Sequence, residues 1–326
     1  MNILLIYFSA TGSTEYFAEA MGKLISGRGH RCELFDVEKR FNLSDVWWSN
    51  PVIPRYIEEA EHRLPLGNKL RDAVLNNKNI EYSSVKKAFD NLEKYLSNFD
   101  LVGFGSPVYF FEPPAVFSSF INSFPAQNGR KAFTFGTHME GPVWFSENIK
   151  KLLAGRGFDV IGHTDSHIIH SEMVPFFPKF MVGEGLQKRY LRYRRPKIAR
   201  KIERFLDSLN IVKGAAADGI TPEAFRPAPL IDRTVGGLVE KGLYATMKYY
   251  LGNRVLKDKC TRCGLCAEKC PMKLIAMDPS DGYPVRTSHC MYCLRCLNIC
   301  PAEAISYAPI ADGKARFKGY GGLTKN

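Results

Sequence analysis

The feature that most constrains this chain is a repeated run of cysteines. The first copy, C-T-R-C-G-L-C-A-E-K-C-P, begins at Cys260, and the second, C-M-Y-C-L-R-C-L-N-I-C-P, begins at Cys290. Eight of the nine cysteines therefore belong to two copies of the pattern C-x2-C-x2-C-x3-C-P, thirty residues apart at every position. So dense and regular a set of thiols predicts a small domain that is built around metal.

Three kinds of chemistry use closely spaced cysteines: iron–sulfur clusters, zinc sites and disulfides. Zinc sites favour two separated C-x2-C pairs over a run of three cysteines. Disulfides need an oxidising compartment. The spacing of both copies, and the proline that closes each, are typical of the cluster-binding run of bacterial ferredoxins. The pattern therefore favours two cubane clusters over zinc or disulfides.

Residues 255–310 resemble the two-[4Fe-4S] ferredoxins of bacteria, and Gly264 and the C-P-x-x-x-I end of each copy agree with that resemblance. It implies that the fourth cysteine of each copy ligates the cluster of the other copy. One cluster would then be held by Cys260, Cys263, Cys266 and Cys300, and the other by Cys290, Cys293, Cys296 and Cys270. Such a domain carries single electrons, and its clusters replace much of the hydrophobic core that so short a chain lacks.

The length of the chain requires at least one further domain. Its 326 residues, with 45% hydrophobic and 24% charged residues, are typical of a globular protein with a buried core. There is no run of 18 apolar residues, so we expect no transmembrane segment, and the apolar start of the chain lacks the basic region of a signal peptide. These features predict a cytoplasmic protein, where thiols stay reduced.

The formal net charge of +12 is concentrated in two stretches. Residues 188–204 contain nine Lys or Arg against one Glu, and residues 257–326 contain eleven against six acidic residues. Bound clusters and a bound phosphate would lower the working charge. No nucleic-acid recognition motif accompanies the charge, so we expect no nucleic-acid partner.

The chain opens with a strand, a loop rich in hydroxyl groups and a helix. Residues 3–8 are an apolar run, and apolar residues recur at helical spacing from Tyr16 onward. The loop between them is neither a Walker A sequence nor a dinucleotide-binding glycine motif. Four hydroxyls at a helix N-terminus could hold a phosphate monoester, or could only cap the helix. The loop S-x-T-G-x-T resembles the FMN phosphate loop of flavodoxins, which implies that FMN is bound by Ser9, Thr11, Gly12, Ser13 and Thr14.

Two later strands, 100–105 and 131–136, also end in loops. In a doubly wound parallel α/β sheet of order 2-1-3-4-5, as in flavodoxins, these loops and the first one meet at the same crevice. The S-P-V-Y segment is similar to a flavin-binding loop, and Tyr109 is the predicted ring-stacking residue, with Phe110 or Trp144 as alternatives. Each of these aromatics could instead pack in the core. The further FMN contacts implied are Ser106, Pro107, Val108, Gly136 and Thr137.

An insertion at about 39–83 separates the second strand, near Cys32–Val37, from a helix that starts near Ser84. So long a connection suggests either a lid or docking surface near the flavin or a subdomain that covers apolar sheet. Further along, Met173–Met181 is predicted to be an apolar loop, and a closing helix is predicted to begin at Pro196. Its outward cations are Lys197, Arg200, Lys201 and Arg204. Such a face is often only solvated; it could also meet an acidic redox protein or a membrane surface.

The chain thus divides into a flavodoxin-like domain (1–209), a linker with one helix (210–254), a ferredoxin domain (255–310) and a basic tail (311–326) that is expected to fray. As a whole it resembles the flavodoxin–ferredoxin fusion proteins of anaerobic prokaryotes. The resemblance implies an electron carrier that links one-electron and two-electron chemistry through FMN and two [4Fe-4S] clusters, with a redox protein as partner. A reductase of a small organic substrate and a non-redox scaffold with a vestigial flavin site are the alternatives.

Overall fold

The structure is a computed structural model. It describes residues 1–43, 46, 82–109, 111–138, 141, 144–169, 174, 177–222, 253–286, 290–307, 312–317 and 319. Most of the predicted insertion, including Trp47 and Trp48, lies outside the described residues, as does the predicted linker helix at 236–250.

A parallel five-stranded sheet of order β2-β1-β3-β4-β5 forms the first domain, and this confirms the predicted topology. Its strands are β1 (Asn2–Tyr7), β2 (Arg31–Asp36), β3 (Leu101–Pro107), β4 (Arg130–His138) and β5 (Phe158–His167). The strands β1 and β3 read as nearly continuous apolar runs because helices cover both faces of the sheet.

The helices of this domain form two layers. They are α1 (Ser13–Gly27), α2 (Val37–Arg40), α3 (Tyr82–Leu96), α4 (Ala115–Asn122), α5 (Phe145–Ala154), α6 (Lys179–Val182) and α7 (Glu184–Ser208). Alternate residues of β1 supply the two cores: Leu4 and Ile6 pack with α3, α4 and α5, whereas Ile3 and Leu5 pack with α1 and α7. A short 3-10 turn, Ala217–Gly219, follows α7.

The helix predicted to begin at Pro196 in fact begins twelve residues earlier, and Pro196 lies inside α7. A proline in a helix interior costs about 3 kcal/mol because it removes a hydrogen bond and crowds the preceding turn. Leu191 before it and Ile198 and Ile202 after it are all buried in one core. Their common packing against the sheet outweighs the proline and keeps the helix continuous.

The cysteine repeat folds into two halves with matching backbones. Its elements are β6 (Asn253–Val255), α8 (Leu265–Glu268), β7 (Ile275–Met277), β8 (Pro284–Arg286), α9 (Arg295–Ile299) and β9 (Ile305–Tyr307), with β6 paired to β9 and β7 to β8, both antiparallel. Left-handed residues recur thirty positions apart, at Arg262 and Tyr292, at Gly264 and Leu294, and at Lys273 and Glu303. The sequence repeat is therefore also a repeat of backbone conformation.

Part of the basic tail is packed, which contradicts the expectation that it frays. Ala315 and Phe317 are buried in the core that contains α1 and α7. The amide of Phe317 donates to Asn298 Oδ1 (2.8 Å) in the ferredoxin domain, and Gln187 Nε2 of α7 donates to the carbonyl of Arg316 (3.0 Å). The tail therefore contacts both domains and connects one to the other.

None of the helices in the described part of the chain combines the length and the apolar composition needed to cross a bilayer.

Candidate cofactor sites

The hydroxyl-rich loop (residues 9–14) turns directly into α1. Gly12 is the N-cap residue, with φ of 91°, a left-handed conformation that glycine adopts without strain. Its amide donates to Ser9 Oγ (3.2 Å), and no side chain caps α1. The first backbone N–H groups of the helix have no intrahelical acceptor, so they are available to an anion such as a phosphate.

The three predicted loops meet at the carboxyl ends of β1, β3 and β4. Thr14 is fully buried, and its Oγ1 lies 2.8 Å from Thr137 Oγ1 at the end of β4. The amide of Val108, after β3, donates to the carbonyl of Thr137 (2.9 Å). Ser106, which is also fully buried, is the next-to-last residue of β3. Direct hydrogen bonds thus join the loops that the sequence was expected to bring together.

Aromatic side chains line the turn after β3. Tyr109 is 7% exposed and pairs with Glu112 through two backbone hydrogen bonds (2.9 and 3.0 Å), so it packs mainly in the core. Phe111 has φ of 60°, and its ring lies 5.5 Å from that of Trp144. The sequence analysis missed Phe111, because the left-handed backbone conformation that accompanies its contact with Trp144 is not apparent from the sequence. Phe110 lies outside the described residues.

A buried acid and two histidines lie at the ends of β4 and β5. Asp165 Oδ1 is 3.0 Å from His138 Nε2 and 2.6 Å from Lys201 Nζ. Burial alone would raise the pKa of Asp165, but the hydrogen bond from His138, the nearby ring of His163 (3.6 Å from Nε2 to Oδ2) and the charge of Lys201 hold that pKa far below its usual range. His138 must therefore carry its proton on Nε2. Its Nδ1 is buried with no hydrogen-bond partner among the described residues.

The first cysteine site consists of Cys260, Cys263, Cys266 and Cys300, which line one small cavity. Cys263 is exposed, as are its neighbours Thr261 and Arg262. Burial raises the pKa of the Cys266 thiol to about 11, so coordination to iron would have to draw that proton away. The amide of Ala304 donates to Cys300 Sγ (3.3 Å).

The second cysteine site consists of Cys290, Cys293, Cys296 and Cys270. Burial raises the pKa of both Cys290 and Cys296, and the nearby charge of Arg286 partly opposes that shift. The sulfurs of this site accept several hydrogen bonds. Their donors are Tyr292 N to Cys290 (3.2 Å), Leu274 N to Cys270 (3.4 Å) and Arg286 Nη2 to Cys296 (3.1 Å).

The arrangement of these thiols fits cubane clusters better than the two alternatives. No two of the nine cysteines are joined in a disulfide in the structure. Within the part of the chain that the structure describes, no group of three Cys, His, Asp or Glu side chains forms a site for a single metal ion. A cubane instead takes its four ligands at four separate irons. Each group of four thiols contains three from one copy and the fourth from the other.

Arg295 joins the second cysteine site to the hydroxyl-rich loop, and the sequence analysis missed it. Its guanidinium donates to the backbone carbonyls of Ser9 (3.1 Å) and Ala10, and it forms a bidentate ion pair with Glu38 of α2 (2.5 Å for Nη2 to Oε2). Arg295 is 12% exposed and Glu38 is 27% exposed. The first copy has Leu265 at the equivalent position, and this departure from the repeat was the signal available in the sequence.

Comparison with known proteins gives two family matches. Residues 1–141 match the family described as NADPH-dependent FMN reductase. Residues 259–304 match the 4Fe-4S dicluster domain. Pyruvate synthase subunit PorD of Methanocaldococcus jannaschii is 32% identical over 65 residues, which cover 20% of this chain and 71% of that protein.

Several solved structures are also similar. A flavodoxin from the domain Archaea has 12% identity and a TM-score of 0.28, with 62% of this chain and 99% of that chain covered. An NADH:FMN oxidoreductase in its apo form has 14% identity and a TM-score of 0.34, with coverage of 68% and 94%. The general stress protein 14 of Treponema denticola, solved with FMN, has 10% identity and a TM-score of 0.32, with coverage of 64% and 97%.

The family matches and the two halves of the structure agree. The cofactors of this protein are FMN, in the first domain, and [4Fe-4S] clusters, in the second. The protein is accordingly an electron-transfer protein.

Proposed function

The chain belongs to the family of flavodoxin–ferredoxin fusion proteins, and from that premise we propose that it is an electron carrier between one-electron and two-electron partners. When bound, FMN exchanges one or two electrons and each [4Fe-4S] cluster exchanges one. Placing both in one chain raises their effective concentration, so that electrons pass without a diffusional encounter. We propose that the carrier works in the cytoplasm, where thiols stay reduced and available to iron.

The proposed cluster ligands are the four cysteines of each cysteine site. The first site would hold one cluster and the second site the other, each with one cysteine from the opposite copy. The hydroxyl-rich loop would hold the phosphate of FMN through Ser9, Thr11, Gly12, Ser13 and Thr14. The loops after β3 and β4 would hold the flavin ring, from Ser106 to Phe110 and at Gly136 and Thr137. To these we add Phe111 and Trp144 as an aromatic wall.

The observation that carries the proposal is the position of Arg295. This residue lies between Cys293 and Cys296, and the same guanidinium contacts the carbonyls of Ser9 and Ala10. Cys293 also packs in the core that contains Tyr109 and Val108. The second cysteine site therefore sits against the predicted flavin crevice.

The opposite end of the ferredoxin domain would meet the external partner. Cys263 is the exposed cysteine of the first site, and Lys259, Thr261 and Arg262 beside it are exposed as well. A redox protein with an acidic surface would complement the charges of Lys259 and Arg262 and be steered toward them. Electrons would then enter or leave at the first site and reach the flavin domain through the second.

Anaerobic purification, followed by iron, sulfide and flavin analysis, tests the proposal. We expect about eight iron and eight sulfide per chain, as two cubane clusters require, together with one noncovalent FMN. After rapid mixing with a one-electron donor, iron–sulfur bleaching should precede flavin reduction. Recovery of FAD, or of no flavin after anaerobic reconstitution, would overturn the assignment of the FMN phosphate loop. Flavin reduction that does not depend on the clusters would overturn the electron route.

A second candidate function, an FMN-dependent reductase of a small organic substrate, is favoured by one observation. His138 ends β4 beside the predicted flavin crevice, is oriented by Asp165, and has a buried Nδ1 with no partner among the described residues. Such a group could hold or deliver a proton. The two functions are separated by giving the dithionite-reduced protein small-molecule acceptors and no protein partner. Sustained turnover that His138→Ala abolishes would favour the reductase, and stoichiometric oxidation alone would favour the carrier.

A further inference from the structure

The outer side of α6 and α7 exposes an unusual amount of apolar surface. Four of the most exposed large hydrophobic side chains in the described part of the chain lie within fourteen residues: Phe180 (81% exposed), Met181 (49%), Leu186 (44%) and Tyr193 (60%). Single exposed hydrophobic residues are ordinary, but contiguous ones mark interaction surfaces. We call Phe180, Met181 and Leu186 the apolar tip.

A groove runs beside the apolar tip, between α6 and α7. Its volume is about 480 Å³, and its walls include Ile169, Met181, Val182, Leu186, Tyr190 and Tyr193. His167, Gln187 and Arg189 also line it, but most of its surface is apolar, so the groove extends the apolar surface inward.

The rest of the same helix face is cationic. At 100° per residue, one face of α7 contains Leu186, Arg189, Tyr193, Lys197, Arg200 and Arg204. All six are exposed. Among the described residues, no carboxylate lies within salt-bridge distance of Arg189, Lys197, Arg200 or Arg204; Lys197 instead stacks on the ring of Tyr193 (4.0 Å). The face therefore passes from apolar to positively charged along its length; Asp207, on the same face at the end of α7, is paired with Arg28 rather than with these cations.

We propose that this face docks on the surface of an anionic phospholipid bilayer. The apolar tip would enter the boundary between headgroups and acyl chains, and the cations of α7 would lie against anionic headgroups. Interfacial helices combine an apolar face with Lys and Arg in this way, and stable attachment requires two such weak signals together. A bilayer fits better than an acidic protein, because a side chain as exposed as Phe180 at the end of a basic face needs an apolar phase as well as negative charge.

The docking face lies next to the first cysteine site. Lys179, which precedes Phe180 at the start of α6, forms an ion pair with Glu303 (3.0 Å), three residues after Cys300. Membrane attachment would therefore hold the exposed end of the ferredoxin domain near the lipid surface. There it would meet a redox partner that is itself bound to the membrane. This orientation rests on the proposed function, whereas the docking does not.

Sedimentation of the oxidised, cofactor-loaded protein with vesicles tests the docking. We expect binding to phosphatidylcholine vesicles that contain phosphatidylglycerol, little binding to phosphatidylcholine alone, and weaker binding as salt is raised. The double variants F180D/M181D and R200E/R204E should each lower the partition coefficient on the order of tenfold or more. Val212→Asp and Lys23→Glu, which change exposed residues elsewhere, are the matched controls and should bind as the parent does. Unchanged flavin and cluster spectra would show that every variant is folded.

Three outcomes would overturn the docking: no vesicle binding, equal binding to neutral and anionic vesicles, or binding that neither double variant weakens. If vesicles are not bound but R200E/R204E loses affinity for an acidic redox protein, the face is a protein-docking surface instead. Vesicle binding is measured without electron transfer, so it can hold when the carrier function fails. Equally, the carrier function can hold when vesicle binding fails.

Discussion

The two cysteine sites have the same sequence pattern and the same backbone conformation, yet they lie in different surroundings. At the first site, Cys263 is exposed, and Ala304 N donates to Cys300 Sγ. At the second, Cys293 and Cys296 are buried, and Leu274 N, Tyr292 N and Arg286 Nη2 donate to the cysteine sulfurs. The repeat thus determines how thiols are arranged, and what packs against each copy decides whether it faces solvent or the flavin domain.

This difference bears on how electrons would be divided between the sites. Burial disfavours the added negative charge of a reduced cluster, whereas hydrogen bonds to its sulfurs and nearby cations favour it. The second site has the stronger contributions of both kinds, including Arg286 and Arg295. Its potential is therefore a balance of opposed terms, and single substitutions should shift it in opposite directions according to which term they remove.

Of the substitutions that distinguish the two cysteine sites, replacement of a fourth cysteine should have the largest effect, because it should damage one cluster and spare the other. Cys270→Ala should damage the cluster of the second site, and Cys300→Ala that of the first, because each supplies the fourth thiolate to the opposite copy. Each variant should retain one cluster, with about half of the iron. EPR of the anaerobically reduced proteins measures which signal disappears.

Double variants supply the control. Cys270→Ala combined with Cys293→Ala should leave one intact cluster, because both lesions fall on the second site. Cys270→Ala combined with Cys263→Ala should compromise both clusters. The reverse result would show that each copy closes its own cluster, and the proposed ligand sets would be wrong.

Arg295→Gln should uncouple the two domains, and Leu265→Ala, at the equivalent position of the first copy, is its matched control. Loss of the guanidinium leaves Glu38 without its partner and the carbonyls of Ser9 and Ala10 without a charged donor. Breaking a largely buried pair costs about 3 kcal/mol, at the low end of the usual range because Glu38 keeps some solvent. We expect slower reduction of the flavin by the clusters and weaker FMN binding, both measured in rapid-mixing and fluorescence titrations.

A double-mutant cycle with Glu38→Gln sharpens this test. If the ion pair carries the effect, the loss in the double variant should be clearly smaller than the sum of the two single losses. Additive losses, or an equal loss in Leu265→Ala, would mean that Arg295 acts only as a packing residue.

Local patterns in the sequence were sufficient for much of this architecture. The apolar strands and the loops that follow them indicated a parallel sheet, and the resemblance to flavodoxins supplied the strand order that the structure confirms. The thirty-residue repeat predicted the two halves of the second domain, and the structure adds that left-handed residues such as Arg262 and Tyr292 recur at the same spacing. These features depend on neighbours in sequence or on exact spacing, and both can be read from the chain alone.

The features that could not be predicted depend on tertiary contacts. Pro196 reads as a helix start, and only the common core of Leu191 and Ile198 keeps α7 intact across it. The tail reads as a disordered basic segment, but Phe317 is buried and bonded to Asn298. From the sequence, Arg295 is indistinguishable from an ordinary surface charge, because its partner Glu38 lies 257 residues away and is brought beside it only by the fold.

In the flavin domain, which the second cysteine site faces, Thr11→Ala and Thr14→Ala should each weaken FMN binding. A hydrogen bond to a charged phosphate contributes about 1.5 to 3 kcal/mol, or roughly ten- to a hundredfold in affinity. Thr14 also bonds Thr137, so Thr137→Val separates the loss of this contact from the loss of the phosphate contact. Fluorescence titration of the apoprotein with FMN measures the affinities. If neither threonine variant loses affinity, the phosphate is bound elsewhere.

The smallest expected effect distinguishes the two sites by potential alone. Arg286→Met removes the hydrogen bond to Cys296 Sγ and a nearby positive charge while keeping a side chain of similar reach. Both losses disfavour the reduced cluster, so the potential of the second site should fall. For one electron, about 59 mV corresponds to a tenfold change in the equilibrium, or about 1.4 kcal/mol, so a fall of roughly 30 to 60 mV is expected from one charge-assisted bond. Arg262→Met is the matched control, because Arg262 donates to the Tyr283 hydroxyl (3.0 Å) and stacks on its ring rather than contacting a sulfur. Redox titration followed by EPR should show the second-site signal shifted in Arg286→Met, whereas Arg262→Met should leave that signal unshifted. Equal shifts in both variants would show that general surface charge, and not the hydrogen bond at Cys296, sets the difference between the two clusters.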